Sequence, residues 1–287
     1  MDSADIWADH DTAALGVILD HSPTGDIACS VFLRTDRLLP PIVCISLATS
    51  ESRRQHMYAQ LSSRRIPFRF FDAVRVQSMP SIYDTKARLK MYGSQLTLGE
   101  IGCYLSHRQI WADLAQTNDE VWCVLEDDVE ICPDFERHVA ALLDARADWD
   151  IVRLTQGQPR ACRIVKSLRG DTRLVSHGKQ PGGTYGYLIS GAAARVLHTF
   201  SEHMIHPVDD MMNRHWEHGL RMYCACPDLL RDRGDLFETT IAGRAKAKRS
   251  LVQKFRREFY MGKDSLSRRL YNRRQLIHCA RLPGIEM

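Results

Sequence analysis

The chain has 287 residues, 44% of them hydrophobic and 26% charged, with a net charge of +4. That is enough to bury one large core or two modest ones, and too apolar for a wholly disordered chain. A collagen-like repeat and a disulfide mini-scaffold are excluded, and no apolar run reaches the roughly 18 residues that a membrane-spanning helix needs.

Charge falls into three blocks. Residues 1–33 hold six Asp and no Lys or Arg, and Asp2, Asp5, Asp9 and Asp11 precede the weakly apolar stretch 13–19. A secretory signal has the reverse order. Residues 34–243 are balanced, whereas residues 244–274 set twelve Lys and Arg against Glu258 and Asp264. The expected organisation is an acidic leader over 1–40, a folded domain over 41–243 and a basic, helical tail over 244–287. Nine scattered cysteines, some inside apolar runs (Cys44, Cys123), fit reduced, buried thiols in a cytosolic protein.

Residues 42–47 (IVCISL) follow Pro40-Pro41 and predict a buried strand. Residues 52–65 set Met57 and Leu61 among polar neighbours, a helical spacing that ends before Pro67. Residues 68–74 predict a second strand. Residues 101–116 place Ile101, Tyr104, Leu105, Ile110, Trp111 and Leu114 at helical spacing. Residues 121–125 (VWCVL) predict a buried strand that runs into Glu126-Asp127-Asp128. A helix after Pro133 uses Phe135, Val139, Leu142 and Leu143; strands are predicted at 151–154 and 185–190, and a helix at 191–200. Pro207 marks the first turn of another helix. In the tail, Leu251, Phe255 and Phe259, then Leu266 and Leu270, recur every four residues among Lys254, Arg256, Arg257, Arg268 and Arg269. Such a helix would lie on an anionic membrane surface, or pack on the body through its apolar stripe. No nucleic-acid-binding module accompanies it. The alternation predicts an α/β domain with a mainly parallel central sheet flanked by helices. Ligands of such sheets sit beyond the carboxyl ends of strands.

The three consecutive acids stand at such an end. Adjacent carboxylates repel unless water or a cation screens them. On extended chain Glu126 and Asp128 share one face and Asp127 points elsewhere. Two hard oxygen ligands suit Mg²⁺ or Mn²⁺, and an acidic turn capping the next segment is the alternative. In residues 96–108 (LTLGEIGCYLSHR), Gly99 and Gly102 permit close backbone approach. Glu100, Ser106 and His107 could there hydrogen-bond a polyol or a phosphate, and a plain helix start with His107 in the core fits the same residues. His206-Pro207-Val208-Asp209-Asp210 puts two carboxylates in a first helical turn, which the helix dipole favours whatever their role. One of them could be a general base. Residues 182–187 (GGTYGY) lead into a strand as a pocket border or a plain turn, without the Gly-Lys-Ser/Thr of a phosphate-binding loop. Cys224 and Cys226 lack a second pair, His215 and His218 lack further zinc ligands, and no Gly-x-Ser-x-Gly elbow occurs.

In order along the chain, IVCISLATSESRR, FRFFDAV, LTLGEIGCYLSHRQIW, VWCVLEDDVEI, GGTYGYLISGAAARVL and HPVDDMM resemble glycosyltransferase family 25, the lipooligosaccharide (LPS) biosynthesis glycosyltransferases. The resemblance covers about residues 41–230. It implies a GT-A-like nucleotide-sugar fold and an inverting transfer of a hexose, usually galactose from UDP-galactose, onto a saccharide of the lipooligosaccharide core. Animal relatives modify collagen hydroxylysine. The LEDD segment resembles a DxD motif, which implies Glu126 and Asp128 as ligands of Mn²⁺ (or Mg²⁺) and Asp127 as a ribose or sugar contact. By the same likeness Ser46, Arg53 and Asp72 serve uracil and ribose, and Gly99, Glu100, Ser106 and His107 lie near the donor sugar. Thr184, Tyr185 and Tyr187 are acceptor-side candidates. For the transfer that the resemblance implies, the expected base is Asp210, with Asp209 next and Glu100 third. Ser46 stands where the family usually has Asn.

A lipid-linked or oligosaccharide acceptor would place the protein in the cytoplasm, peripheral on the inner face of the cytoplasmic membrane, held by its basic tail, with no nucleic-acid partner. Two other classes stay open. One is a non-catalytic nucleotide-sugar or carbohydrate-binding protein on the same fold. The other is a metal-dependent phosphoesterase, which would need more His and Asp ligands around a second metal. No residue reads glucose against galactose.

Overall fold

The computed structural model describes residues 39–157, 162–234 and 250–280, backbone alone from 275. The acidic leader up to residue 38, and the stretches 244–249 and 281–287 of the expected tail, lie outside the described residues.

The sheet grows outward from β1 (Ile42–Ser46), which is flanked by β2 (Phe68–Asp72) and β3 (Val121–Glu126), both parallel to it. Parallel neighbours require crossovers. α1 (Glu51–Ser63) joins β1 to β2, and α2 (Thr85–Tyr92) with α3 (Leu98–Gln116) joins β2 to β3. In register, Ser46 faces Asp72 and Ile45 faces Glu126, so three carboxyl ends finish level with one another.

β4 (Val129–Ile131), α4 (Phe135–Asp144), a 3₁₀ turn at Arg146–Asp148 and β5 (Ile151–Arg153) follow. β6 (Cys162–Ser167) and β7 (Arg173–His177) form an edge hairpin. β8 (Gly186–Ser190), α5 (Gly191–Phe200), α6 (Val208–Met212), α7 (His215–His218), β9 (Met222–Cys226), β10 (Leu230–Asp232) and α8 (Leu251–Ala280) complete the order. Pro207 sits one residue before the first helical residue of α6.

The eight-stranded sheet has the order β2-β1-β3-β8-β5-β9-β7-β6, and β4 pairs separately with β10. β8 runs antiparallel to both β3 and β5, and β7 antiparallel to β9 and β6. The expected mainly parallel sheet is therefore a mixed one, parallel through β2-β1-β3 and again at β5-β9.

Alternation along β1 and β3 divides the core into two layers. Val43, Ile45, Trp122 and Val124 pack with Tyr104, Trp111 and Leu114 of α3 and Leu197 of α5. Ile42, Cys44, Cys123 and Leu125 pack with Met57 and Leu61 of α1 and with Phe135, Val139 and Leu142 of α4. Covering on both faces is why IVCIS and VWCVL are apolar throughout.

α3 begins at Leu98, three residues before Ile101, its first buried residue, because a capping box starts it. The Glu100 amide donates to Thr97 Oγ1 (3.1 Å), and Glu100 Oε2 accepts from the Thr97 amide (2.8 Å). Gly102 then permits close approach, since a Cβ there would lie 2.5 Å from the Val74 carbonyl oxygen.

α8 packs on α2 and α7. Asp264 accepts from both Nη atoms of Arg214 (2.8 Å each), and Arg268 Nε and Asn272 Nδ2 donate to the Gly178 carbonyl (3.1 and 3.2 Å). Its apolar stripe points the other way: Leu251, Phe255, Phe259, Leu266 and Leu270 are 50–82% exposed. The body thus meets a polar face, and the stripe is not the packing surface. No described helix is long and apolar enough to cross a membrane.

Candidate functional site

At the level ends of β1 and β3 the chain opens a cleft of about 350 Å³, bounded by Ser46 and Arg53, by Val74, Arg75 and Val76, by Gly99, Gly102 and Cys103, and by all three acids. Antiparallel β8 brings its start to the same end: Gly186 pairs with Leu125, and the Glu126 amide donates to the Tyr185 carbonyl (2.9 Å).

β3 stops at Glu126, and Asp127-Asp128 turn the chain into β4. Strand alternation ends there too. Arg53 Nη1, from α1, donates to Asp127 Oδ1 (2.8 Å) and to Asp128 Oδ2 (3.2 Å), so those two carboxylates share one cation. This corrects the expectation that Asp127 points away from the other two. Thr184 Oγ1 donates to Glu126 Oε1. Among the described residues Asp128 Oδ1 is buried with no partner. Burial and the nearby Glu126 charge push the Asp128 carboxyl up to about 7, against the pull of Arg53. Arg53 offsets one of three charges, which leaves hard oxygen donors and a buried acceptor without a donor. That set fits Mg²⁺ or Mn²⁺. A second donor set shares Glu126: Cys103 Sγ, His107 Nε2 and a Glu126 oxygen lie within 4.8 Å of one another, and its sulfur and imidazole suit a softer ion.

His107 reaches the site through the core. The Tyr187 hydroxyl lies 3.0 Å from Trp111 Nε1 and 2.9 Å from His107 Nδ1, and all three side chains are fully buried. Indole N–H can only donate, so the phenol oxygen accepts from Trp111 and its own proton goes to His107 Nδ1. A neutral His107 then carries its proton on Nε2, 3.6 Å from Glu126 Oε1. Tyr187, expected on the acceptor side, is a core residue that orients His107.

Residues 39–212 match the family described as glycosyltransferase family 25 (LPS biosynthesis protein). The chain belongs to this family. It is 33% identical over 168 residues to procollagen galactosyltransferase 1-B of Xenopus laevis, covering 54% of this chain and 27% of that one. It is 33% identical over 191 residues to a glycosyltransferase 25 family member of Aedes aegypti, covering 61% and 31%. It is 29% identical over 219 residues to inactive glycosyltransferase 25 family member 3 of Mus musculus, covering 65% and 36%. The chain thus spans little more than a third, at most, of these relatives' length. With an inactive relative among them, membership of family 25 does not by itself establish turnover.

The remaining residues expected to serve a family 25 site divide between the cleft and its supports. Gly99 lines the cleft; Glu100 is held in the capping box and is absent from the lining. Ser106 Oγ accepts from the Val74 amide (2.9 Å) and donates to the Gly102 carbonyl (2.8 Å), pinning the segment after β2 to α3. Asp72 is exposed, paired with Arg54 and outside the cleft lining. Ser46 is buried, and its carbonyl accepts from the Ala73 amide (2.9 Å) and Arg54 Nη2 (3.1 Å).

Tyr185 bonds Asp232, and its ring lies under Gly183. Gly183 has φ +81°, and a Cβ there would lie 2.5 Å from that ring. Asp209 Oδ2 accepts from the Gly183 amide (3.0 Å), so one short turn links the 209–210 pair to Thr184 and Glu126. Asp210 opens onto a separate cavity, where burial and the Asp209 charge raise its carboxyl.

Three contributors escaped the sequence reading. Arg54 ties β1 to Asp72, and Cys103 faces the acids. Arg153, 3% exposed, donates to the Gly183 carbonyl and to Asn213 Oδ1 (2.8 Å), bracing the turn that carries Thr184. A lone Arg inside the apolar run IVRL was the available signal, because buried guanidinium needs a fixed partner.

Proposed function

We propose that the chain is an active, cation-assisted hexosyltransferase. It moves galactose from UDP-galactose, with inversion, onto a saccharide acceptor of lipooligosaccharide type presented at an anionic membrane surface. The observation that supports this most is the buried, unpartnered Asp128 Oδ1 beside Glu126 in the cleft. Glu126 and Asp128 would hold Mn²⁺ or Mg²⁺ against the donor diphosphate, and the cation would offset the charge that builds on departing UDP. Arg53 positions Asp127 and Asp128, Thr184 orients Glu126, and His107 Nε2 lies 3.6 Å from the same carboxylate.

The acceptor hydroxyl oxygen bonds to the anomeric carbon as that carbon's bond to the UDP oxygen breaks on the opposite face. The hydroxyl proton passes to a carboxylate. We assign that role to Asp210, because Asp209 is tied to the Gly183 amide and Asp210 has a raised pKa, nearer the working pH. α8 is the surface anchor: its apolar stripe faces solvent with Arg256, Lys263 and Arg269 exposed alongside.

The test is product analysis with UDP-galactose and UDP-glucose on oligosaccharide acceptors. The expected product carries a β linkage from the α-linked donor. UDP release from neither donor would favour the binding-protein reading, which the similarity to the inactive mouse relative also supports. Phe255→Asp with Phe259→Asp is expected to abolish sedimentation with phosphatidylglycerol vesicles and to spare transfer to soluble acceptors.

A further inference from the structure

Between α2, the α6–α7 segment and α8 lies a second cavity of about 290 Å³, separate from the acidic cleft. Its walls carry Arg88, Lys179, Arg214, Arg257 and Arg268 against Asp210 and Asp264. Arg214 is already committed. It donates to both Asp264 oxygens (2.8 Å each) and to both Glu217 oxygens (2.8 and 2.6 Å), so its charge is spent and that cluster carries one net negative charge. Arg257 pairs with exposed Glu258 (2.6 Å). Arg88, Lys179 and Arg268 remain against Asp210 and that one negative charge, which leaves the recess positive by a single charge.

The walls are also aromatic. The Arg88 guanidinium lies 4.3 Å from the Tyr92 ring centroid, and those of Arg214 and Arg268 lie 5.0 and 5.9 Å from that of Trp216. Arg214 has its N–H groups taken, so those left for an oxyanion are the ones that Arg88 does not give to the Ile205 carbonyl (3.3 Å) and Arg268 does not give to the Gly178 carbonyl (3.1 Å) and Ser265 Oγ (3.3 Å). Apolar ring surface beside them suits the C–H face of a sugar. His206, in the same wall, is pushed down to about 4 by burial and by Arg214, so it sits there neutral with Nδ1 against the Tyr92 hydroxyl (3.2 Å). Asp210 ties the recess to the acidic cleft, since its neighbour Asp209 holds the turn that carries Thr184.

We infer that this cavity is the acceptor subsite for an anionic group, a phosphate or carboxylate borne by the acceptor saccharide. The inference rests on the transferase reading and narrows its acceptor class. Arginine and lysine pair strongly with either oxyanion, and Arg does so through two parallel N–H groups. A cationic acceptor would meet like charge there. Because α8 supplies one wall while its opposite face is exposed and apolar, the anionic part of a membrane-borne saccharide would be held directly beneath the anchoring helix.

The test measures the melting temperature of the full chain with glucose 6-phosphate, glucuronate, glucose and glucosamine, and with UDP plus Mn²⁺ in a separate series. The expected result is stabilisation by glucose 6-phosphate, by glucuronate or by both, and none by glucose or glucosamine. Which anion acts distinguishes phosphate from carboxylate. Lys179→Glu reverses one of the three wall charges that remain, at a residue with no part in the contacts described above between α8 and the body. It is expected to weaken anionic-sugar binding at least tenfold while leaving the UDP response unchanged. No stabilisation by either anionic sugar, equal stabilisation by glucose, or anion binding that survives the charge reversal overturns the inference. Loss of the UDP response in the unmodified chain would count against the transferase reading instead, with the sugar series still reporting on the cavity.

Discussion

The acidic cleft collects its charge from consecutive residues, Glu126, Asp127 and Asp128, at the end of one strand, whereas the α2–α8 cavity collects Arg88, Lys179, Asp210 and Arg268 from four separate parts of the chain. The cleft sets three acids against Arg53 and Arg75, with Arg53 bonded to two of the acids and Thr184 to the third. The cavity is positive, with its bases laid over Tyr92 and Trp216. A negative cleft wants a cation before it can take a diphosphate; a positive recess takes an anion directly. Under the proposed transfer they would serve its two opposite ends, with Asp209-Asp210 linking them.

That link can be broken at Asp210. Asp210→Asn is expected to lower turnover about 10²–10⁴-fold, the usual worth of a positioned base, with UDP binding unchanged. Equal loss of UDP binding would move Asp210 to the donor side and dissolve the division. Measured as initial rate against donor affinity, this is the largest effect foreseen.

pH sharpens the same contrast. A proton and a cation compete for Asp128, whose carboxyl is held at about 7, so Mn²⁺ affinity should rise about tenfold per pH unit below 7 and level off above it. In the cation-free protein the sign is opposite. A pKa raised from its ordinary value near 4 means the folded state holds the proton more tightly. That contribution to stability is complete below about pH 4 and is lost as pH rises through 7. Calorimetric Mn²⁺ titrations and melting curves between pH 5 and 8 check both statements.

The smallest effect tests the support of the cleft. Tyr187→Phe leaves Trp111 Nε1 and His107 Nδ1 unpaired in the core and is expected to destabilise the fold by about 1–3 kcal/mol in urea unfolding. It should also raise the Mn²⁺ requirement, because the His107 ring, whose Nε2 lies 3.6 Å from Glu126, loses the bond that sets it. Unchanged Mn²⁺ dependence would reduce Tyr187 to ordinary packing.

The sequence was most legible where structure is continuous in it. Residues 42–46 and 121–126 are buried on both faces, so their composition alone marks strands, and the acids after them mark the site. Strand direction is not written in residue pattern, so the antiparallel course of β8, and with it the arrival of Thr184 beside Glu126, was not foreseeable. α2 has no apolar stripe; Asp84, whose side chain caps the Ala87 amide (2.8 Å), and the covering α8 stabilise it. β6 carries only exposed side chains and follows no inside–outside alternation. Helical spacing located the stripe of α8 but not the side that meets the body. A polar packing face is set by Arg214, Gly178 and His215, all distant in sequence. The basic cavity was illegible for the same reason.

The central claim, that the acidic end of β3 is a cation-dependent nucleotide-diphosphate site, is tested most directly by melting temperature with UDP, with and without Mn²⁺, in the unmodified chain and in Asp128→Ala. The account predicts a Mn²⁺-dependent rise, about 2.7 kcal/mol of added stability at a hundredfold excess of ligand over Kd, that vanishes in Asp128→Ala. A rise that persists in Asp128→Ala, or none in the unmodified chain, would contradict it.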